Sequence, residues 1–434
     1  MYYQPEIETM PREELEALQL ERLQELSRYV YDRIPFYKEA FDAAGVKPED
    51  IKCLDDLQKL PFTTKQDLRD AYPFKMFAVP QSEVARIHCS SGTTGTATVV
   101  GYTEKDLEVW GDCFARFLYA ADCGPDSILQ VAYGYGLFTG GLGAHQGGER
   151  GGLTVLPMSS GNTKRQVRLM HDFGVDVLAC TPSYALNIAE VAYDEGYDPR
   201  EFKIHAGILG AEPCSESMRA EIQDKLGIQV FDIYGLSEVM GPGVACECDQ
   251  QDGLHVCEDH FIIEVVDPQT LEPVADGEWG EVVFTTLSKQ CSPLIRYRTR
   301  DISRIITGQC ACGRTFRRMD RITGRTDDMM ILRGVNVFPS QIEEEIVSFP
   351  EIVPQYQLIL TTRGALDHVE LQVETVPDFP FDEVARLQKL KKDLEKALKD
   401  NLQIAVEVKI VEPKTIERSE GKAKRIVDLR EGLK

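Results

Sequence analysis

A loop rich in hydroxyl groups and glycine occupies residues 90–98 and reads SSGTTGTAT. Gly92 and Gly95 allow the backbone to turn tightly and to bring N–H groups close to an anion, while the hydroxyls donate further hydrogen bonds. No Gly-Lys-[Ser/Thr] follows, so this is not a Walker A loop. Phosphate binding is the chemistry that it suggests, and a flexible Ser/Thr turn is the alternative.

Polar turns with glycine follow several strand-like runs further along the chain. They lie at residues 210–213, 234–238, 297–301 and 324–328. Ligands collect at such turns in open α/β sheets, because the carboxyl ends of parallel strands share one edge. Each turn alone could be purely structural, and only their order along the chain distinguishes them.

Half of the twelve cysteines crowd into one part of the chain, at positions 246, 248, 257, 291, 310 and 312. Cys248, His255, Cys310 and Cys312 offer three thiolates and an imidazole, the ligands that tetrahedral zinc prefers. Cys246 and Cys257 are spare ligands. The spacing differs from the common Cys-x2-Cys, and small buried cysteines beside a hydrogen-bonded histidine are the alternative. A zinc ion here would be structural.

The elements that must position these residues follow from the apolar pattern. Helical spacing runs from Leu15 to Val30, and short apolar runs then alternate with helical stretches between 128 and 244. This alternation predicts an α/β fold whose large N-terminal domain, residues 1–325, has mostly parallel sheets. A β-rich subdomain is expected at about 245–325 because strands there alternate with turns.

A small mobile α+β C-terminal domain is expected over residues 328–434, with a hinge near Asp327. Its predicted order is strand, helix, strand, strand, helix and strand. The second helix, residues 382–402, has apolar residues on one face: Val384, Leu387, Leu390, Leu394 and Leu398.

Composition excludes several classes of function. With 48 Lys and Arg against 71 Asp and Glu, the net charge of −23 repels nucleic acids and anionic membranes. No run of residues is long and apolar enough to cross a bilayer, and no signal peptide is evident at the N-terminus. We therefore expect a cytoplasmic protein with reduced thiols and no nucleic-acid or membrane partner.

The ordered set of motifs resembles the phenylacetate–coenzyme A ligase family of the adenylate-forming superfamily. The resemblance is carried by the Ser90 loop and by YGYGLFTGGLGAH at 133–145, GLHVCEDH at 253–260, RYRTRD at 296–301, RGVNVFPSQIE at 333–343 and ERSEGKAK at 417–424. It implies a ligase that adenylates phenylacetate or a similar aryl acid with ATP and Mg²⁺, and then transfers the acyl group to coenzyme A. Relatives are commonly dimers, so a homodimer is expected.

The resemblance also implies roles for individual residues. Glu238 would bind magnesium, Thr93 and Thr94 would act with the phosphate loop, and Lys422 would stabilise the adenylation transition state, with Lys424 as its alternative. The implied nucleotide-binding residues are Ser90, Ser91, Gly92, Gly95, Gly210, Ala211, Glu212, Pro213, Asp232, Ile233, Tyr234, Gly235, Ser237, Asp301 and Arg325. Among these, Asp301 would accept both ribose hydroxyls, and Ala211, Glu212, Pro213 and Tyr234 would form the adenine wall.

An aryl pocket and a hinge complete the implied machinery. The pocket residues are Tyr135, Phe138, Thr139, Gly140, Gly141 and Gly143. Core aromatics in a glycine-rich turn are the alternative for them. The small domain would rotate about Asp327 between the two steps, and Gly334 would then let a strand pass close to the coenzyme A tunnel.

Two positions depart from the family pattern. Relatives usually have lysine and proline after the second glycine of the phosphate loop, whereas this chain has Thr96 and Ala97. The usual tyrosine of the pocket segment is Gln146. A different acyl acceptor, or an inactive nucleotide-binding regulator, therefore stays open as an alternative. Glu238, Asp301 and Lys422 argue against the regulator, since a sensor needs no transition-state lysine.

Overall fold

The computed structural model describes residues 1–90, 97–326, 330–332, 335–337, 339–363, 366–402, 404–419 and 425–430. The helices are α1 (Pro5–Glu8), α2 (Arg12–Arg33), α3 (Pro35–Ala44), α4 (Lys65–Asp70), α5 (Glu104–Ala120), α6 (Thr139–Arg150), α7 (Thr163–Phe173), α8 (Pro182–Asp194), α9 (Glu216–Leu226), α10 (Pro339–Val347) and α11 (Val384–Leu402). None of the helices described is long and apolar enough to span a membrane.

The described residues also form twenty-one strands. They are β1 (Arg86–Cys89), β2 (Val99–Tyr102), β3 (Ile128–Val131), β4 (Thr154–Pro157), β5 (Val177–Cys180), β6 (Ala206–Gly210), β7 (Gln229–Tyr234), β8 (Ala245–Glu247), β9 (Leu254–Val256), β10 (Phe261–Val266), β11 (Gly280–Thr286), β12 (Tyr297–Ser303), β13 (Ile305–Ile306), β14 (Arg318–Met319), β15 (Gly324–Arg325), β16 (Met330–Leu332), β17 (Val335–Val337), β18 (Ile352–Arg363), β19 (Leu366–Thr375), β20 (Glu407–Val411) and β21 (Ile426–Asp428).

A nine-stranded sheet forms the centre of the large domain, in the order β13-β14-β9-β8-β7-β6-β5-β3-β4. The five strands from β7 to β4 run parallel and are joined through helices. Strands β5 and β6 are buried along their whole length, because helices cover both faces of the sheet. The predicted α/β fold with mostly parallel strands is confirmed in this half of the sheet.

Residues after 244 divide between two sheets. Strands β8, β9, β14 and β13 extend the central sheet in antiparallel fashion from β7. Strands β10, β11, β12 and β15 form a separate antiparallel sheet. Because β12 and β15 are adjacent, their residues Asp301 and Arg325 face each other as register partners.

The C-terminal residues form a second structural unit with its own hydrophobic core. Strands β20-β19-β18-β21 make a mixed sheet, and α10 and α11 pack against it around buried residues such as Leu358 and Leu394. The predicted apolar face of α11 is confirmed at Leu390, Leu394 and Leu398. It is wrong at Val384, which is 61% exposed because it is the first residue of the helix.

Candidate active site

Tyr234, Asp301 and Arg325 come together where β7 meets the antiparallel sheet. The Tyr234 hydroxyl donates to Asp301 Oδ2 at 2.6 Å, and Arg325 donates to Asp301 Oδ1 at 3.0 Å. Asp301 is only 6% exposed, so this carboxylate is held in one orientation by two charged or polar donors. Burial raises the pKa of Tyr234, and the Asp301 carboxylate raises it further, which keeps the phenol protonated as a donor.

The turn after β7 presents a buried carboxylate, Glu238, beside the two ends of the phosphate loop. Glu238 Oε1 lies 3.3 Å from Thr98 Oγ1, and the Thr98 hydroxyl also bonds to Ser90 Oγ. Ser90 and Thr98 are described residues at the two ends of this loop, and Ser90 N donates to Thr98 O at 3.0 Å. A carboxylate and two hydroxyls are hard oxygen groups of the kind that magnesium takes as ligands.

Two lysines that the motifs do not mark contact the same turn. Lys65 Nζ, on α4, lies 3.5 Å from Glu238 Oε1. The Lys289 ammonium is buried and donates to the carbonyl oxygens of Glu238 and Val239 at 3.1 and 2.8 Å. Burial lowers the pKa of Lys289 to about 8. Neither lysine lies in a recognisable sequence motif, so only the three-dimensional contacts could reveal them.

The turn after β6 carries the predicted adenine wall. Gly210 ends β6, and Ala211 follows with φ of +71°, a conformation that is uncommon outside glycine and is typical of functional turns. Glu212 Oε1 accepts a hydrogen bond from Ser183 N at 2.6 Å, which ties the turn to the first residues of α8. Asp232 and Ile233 lie on the neighbouring β7, and burial together with Glu247 raises the pKa of Asp232 to about 7.

Four of the predicted acyl-pocket residues, Thr139, Gly140, Gly141 and Gly143, lie at the start of α6, and a fifth, Phe138, is its N-cap. Gly141 packs against the carbonyl oxygen of Gly134, and a Cβ there would approach that oxygen to 2.6 Å. Gly143 packs against the Trp110 ring, which a Cβ would overlap. Thr139 Oγ1 lies 3.2 Å from Ser237 Oγ. The predicted pocket residues at the start of α6 are therefore in contact with the turn after β7.

Tyr135 reaches the same helix from the preceding turn. Its hydroxyl lies 3.1 Å from His145 Nδ1, one helical turn or more beyond the start of α6. The two rings meet edge to face with centroids 5.9 Å apart. This contact fixes an aromatic ring beside the glycine-rich face of α6.

Several predicted residues lie outside the described part of the chain. They are Ser91, Gly92, Thr93, Thr94, Gly95, Asp327, Gly334, Lys422 and Lys424. Gly235, Ser237 and Pro213 are described and lie on the two turns above.

The cysteine and histidine residues that were predicted to bind zinc form a compact cluster of their own. Ligand atoms of Cys248, His255, Cys310 and Cys312 all lie within 4.8 Å of one another. Cys248 Sγ is 3.6 Å from Cys310 Sγ, and Cys312 Sγ is 3.4 Å from His255 Nε2. Hydrogen bonds from Cys248 and His255 lower the pKa of Cys312 well below its ordinary value.

Comparison with known proteins places this arrangement in a family. The model of the AMP-binding enzymes matches residues 13–288, and that of the AMP-binding enzyme C-terminal domain matches residues 334–430. Phenylacetate-coenzyme A ligase of Escherichia coli is 52% identical over 98% of this chain and 97% of its own. The ligase of Thermus thermophilus is 50% identical over 99% of this chain and 100% of its own. The chain belongs to the phenylacetate–coenzyme A ligase family.

Membership assigns the class of reaction. This ligase is an AMP-forming acid–thiol ligase, which adenylates a carboxylic acid with ATP and passes the acyl group to coenzyme A. Its ligands ATP and coenzyme A are small molecules, as expected from the sequence.

A solved relative, 2-hydroxyisobutyryl-CoA ligase, is 29% identical to this ligase over 98% of the chain. Its postadenylation state superposes with a TM-score of 0.91, covering 91% of the relative. Its thioesterification state, which contains coenzyme A, superposes with a TM-score of only 0.73 at 92% coverage. Since the relative is the same protein in both cases, the difference reflects how its parts are arranged. This ligase has the postadenylation arrangement.

Proposed function

We propose that this ligase activates an aryl carboxylic acid, with phenylacetate as the leading substrate, and releases AMP and pyrophosphate while forming the coenzyme A thioester. The observation that carries the proposal is the identity of 48–52% to four relatives named phenylacetate-coenzyme A ligase, over 98–99% of this chain. The contact between Thr139, at the start of α6, and Ser237, in the turn after β7, supports it.

The nucleotide would bind between the turns after β6 and β7 and strand β12. Asp301 is oriented by Tyr234 and Arg325, and its carboxylate can accept hydrogen bonds from both ribose hydroxyls. Arg325 then lies close to the ribose and the α-phosphate. The turns with Gly210, Ala211 and Gly235 would border the adenine. Ser90 and the glycine-rich loop that follows it would hold the outgoing phosphates.

Adenylation requires charge to be neutralised around the α-phosphate when the substrate carboxylate attacks and pyrophosphate leaves. Glu238 is the described residue that fits a magnesium ligand, because its carboxylate is buried and lies beside the Thr98 hydroxyl. A magnesium ion bound there would supply positive charge to the phosphate oxygens. Lys422 is proposed to add a second positive charge from the C-terminal domain.

The aryl ring would lie against α6. Gly140 packs against the Phe138 ring and Gly143 against the Trp110 ring, and a side chain at either position would collide with that ring. We expect the aryl ring to lie beside these aromatic side chains. Because Thr139 Oγ1 lies 3.2 Å from Ser237 Oγ, this end of α6 adjoins the turn after β7, where the substrate carboxylate would meet the nucleotide. Gln146, in place of the usual tyrosine, donates to the Leu107 carbonyl oxygen at 2.8 Å.

Two domains, residues 1–325 and 328–434, would both act in the adenylation and thioester steps. The hydrophobic core of the C-terminal unit contains only residues beyond 329, which supports a boundary near Asp327. The two arrangements of 2-hydroxyisobutyryl-CoA ligase support a rotation of the small domain between the adenylation and thioester steps. After that rotation, Gly334 would face the coenzyme A tunnel.

The test supplies the purified protein with ATP, Mg²⁺, coenzyme A and phenylacetate, and measures AMP and phenylacetyl-coenzyme A by chromatography. Both products should accumulate in equal amounts. An acyl-adenylate that forms without thioester would replace the proposal with a different acyl acceptor. ATP binding without AMP formation would support an inactive regulator. A panel of aryl and short aliphatic acids then ranks the substrates by kcat/KM.

We further propose a structural zinc ion at Cys248, His255, Cys310 and Cys312. Zinc with bonds of about 2.0–2.3 Å in tetrahedral geometry separates its ligands by roughly 3.4–3.8 Å. The Cys248–Cys310 and Cys312–His255 distances of 3.6 and 3.4 Å agree with this separation. Four protein ligands leave no position for substrate, so the ion would stabilise structure.

The zinc cluster connects the N-terminus to the region before β14. The Tyr2 hydroxyl donates to the Cys312 carbonyl oxygen at 2.5 Å, and Arg314 N donates to Cys312 Sγ at 3.5 Å. The Arg314 side chain is paired with the buried Glu8 of α1 at 2.8 Å. A metal ion would therefore fix residues that hold the first helix in place.

Elemental analysis of the purified protein should find about one zinc per chain. Strong chelation, or Cys310→Ser, should lower the unfolding temperature, because metal-binding free energy contributes to folding. Cys53→Ala is the matched control, since Cys53 is exposed and lies outside the cluster. Substantially less than one zinc per chain, with unchanged unfolding on chelation, would refute the site.

The homodimeric state and the cytoplasmic location stay predictions. Sedimentation of the purified protein and fractionation of its host cell would test them.

A further inference from the structure

The phosphate loop of this ligase carries no positive charge. Residues 90–98 read SSGTTGTAT and contain neither lysine nor arginine. The outgoing pyrophosphate carries several negative charges, and the chain itself has a net charge of −23. A cation should therefore come to the phosphates from another element.

Lys65 is positioned to be that cation. Its ammonium lies 3.5 Å from Glu238 Oε1, and the same oxygen lies 3.3 Å from the Thr98 hydroxyl. Thr98 bonds in turn to Ser90, at the other end of the loop. The ammonium thus lies where the phosphate loop begins and ends, beside the carboxylate that fits a magnesium ligand. Its side chain is 40% exposed, so it is accessible to a bound nucleotide.

Hydrogen bonds between the segment before α4 and strand β12 fix the backbone near Lys65. Thr63, which is fully buried, accepts from Arg298 N at 2.9 Å and donates its N–H to the Arg296 carbonyl oxygen at 3.1 Å. These bonds fasten the segment before α4 to β12, the strand that carries Asp301. The position of Lys65 is therefore set by the same strand that would hold the ribose.

A capping box completes this support. Thr64 N and Oγ1 both donate to Asp67 Oδ2, at 2.7 and 2.6 Å, and Asp67 N returns a bond to Thr64 Oγ1 at 3.4 Å. The first turn of α4 is thereby fixed at the residue that precedes Lys65. The Lys65 side chain therefore extends from a fixed backbone position toward Glu238.

We propose that Lys65 binds the β- and γ-phosphates of ATP and stabilises the departing pyrophosphate, in place of the lysine that the phosphate loop lacks. This rests on the adenylation function. In the protein without nucleotide, Lys65 neutralises Glu238. When MgATP binds, the Glu238 carboxylate is the ligand for the metal ion and the Lys65 ammonium pairs with phosphate oxygens, so each buried or half-buried charge keeps a partner.

A lysine paired with a buried glutamate can have a purely structural role, in which it only neutralises the carboxylate. Such a pair would affect stability and would not affect nucleotide binding. The proposal instead requires an effect that depends on the β- and γ-phosphates. AMP, which has neither, is therefore the internal control.

The experiment compares the wild type with Lys65→Met and measures binding of MgATP's non-hydrolysable α,β-methylene analogue and of AMP by calorimetry. We expect the analogue to bind about 10- to 100-fold more weakly to Lys65→Met, the range for a lost hydrogen bond to a charged group, and AMP to bind equally. Lys65→Arg should retain most of the affinity. Lys59→Met is the matched control, because Lys59 is an exposed neighbour paired only locally with Asp56.

A rescue variant tests the proposed equivalence directly. Lys65→Met combined with Thr96→Lys places the charge within the phosphate loop itself, and should recover most of the analogue's affinity and of the ATP–pyrophosphate exchange rate. Unchanged binding of the analogue by Lys65→Met would overturn the proposal, as would equal weakening of AMP or a double variant that recovers nothing. These binding measurements need no acid substrate, so they are independent of whether phenylacetate is the natural acid.

Discussion

At the scale of single residues, the proposed nucleotide site centres on one carboxylate whose two oxygens already have donors. Asp301 receives the Tyr234 hydroxyl on one oxygen and Arg325 on the other. A carboxylate oxygen can accept more than one hydrogen bond, so a ribose hydroxyl can join these donors. Preorganisation of this kind lowers the cost of ordering the site when the ligand arrives.

Asp301→Asn tests this role. The amide keeps one acceptor oxygen but places an NH₂ group where the second acceptor was, facing a donor. We expect the KM for ATP in the ATP–pyrophosphate exchange reaction to rise at least about 10-fold, which corresponds to one lost charge-assisted bond. Tyr234→Phe, which removes only an orienting hydroxyl, should have a smaller effect. An unchanged KM in Asp301→Asn would exclude the ribose role.

At the scale of elements, α6 shows how glycine sets the distance between two helices. Gly143 packs against the ring of Trp110, whose indole N–H is fixed by a bond of 2.5 Å to the Pro242 carbonyl oxygen. The ring cannot move away without losing that bond. The distance between α6 and α5 is therefore limited to what glycine allows.

Gly143→Ala should push the two helices apart. Overpacking a buried contact costs about 1–3 kcal/mol of unfolding free energy, measured by chemical denaturation. Because the same helix borders the proposed aryl pocket, we also expect a higher KM for phenylacetate with little change in the KM for ATP. Gly124→Ala is the control, since a Cβ there meets only ordinary contacts at 3.7 Å or more. Equal effects on both KM values would argue against a pocket at this face.

The elements that sequence predicts well are those defined by local pattern. The helix predicted from Leu15 to Val30 lies within α2, and Leu390, Leu394 and Leu398, predicted on one face of the second C-terminal helix, are buried in α11. The sequence alone also grouped Cys248, His255, Cys310 and Cys312, whose ligand atoms are close in space. The helices are predictable because the apolar residues that they bury recur at helical spacing among near neighbours in the sequence.

Lys65 and Lys289 escaped prediction for the opposite reason. The position of Lys65 depends on backbone hydrogen bonds between Thr63 and the distant residues Arg296 and Arg298. The Lys289 ammonium is held by the carbonyl oxygens of Glu238 and Val239, in the turn after β7. No local periodicity records such pairings. The absence of lysine and arginine from residues 90–98 was the one signal in the sequence, and it did not indicate which residue supplies the positive charge.

At the scale of the whole molecule, ion pairs hold the small domain against α8. Arg418 donates to Glu190 at 3.0 Å and also to Glu374 of its own domain at 2.8 Å. Lys414 pairs with Asp194 at 2.6 Å. These pairs join the two domains in the arrangement that matches the postadenylation state of the relative with a TM-score of 0.91. If the small domain rotates as we propose, these pairs would break before the thioester step.

Glu190→Gln should therefore shift the balance between the two steps. It removes the attraction between domains and leaves the Arg418–Glu374 pair intact. A partly exposed pair is worth up to about 1 kcal/mol, so we expect the adenylation half-reaction to slow by about 2- to 5-fold. Thioester formation from preformed adenylate should be unchanged or faster, because the domain leaves its first position more easily. Rapid-quench measurement of each half-reaction separates the two.

Asp393→Asn is the matched control for this shift. Asp393 pairs with Lys389 on the exposed side of α11, entirely within the small domain, so its loss changes a similar surface charge without touching α8. Added salt should reduce the difference between the wild type and Glu190→Gln, since screening weakens the same attraction. A variant in which both half-reactions slow equally would mean that Glu190 supports the fold of α8, and that the ion pair does not set the domain arrangement.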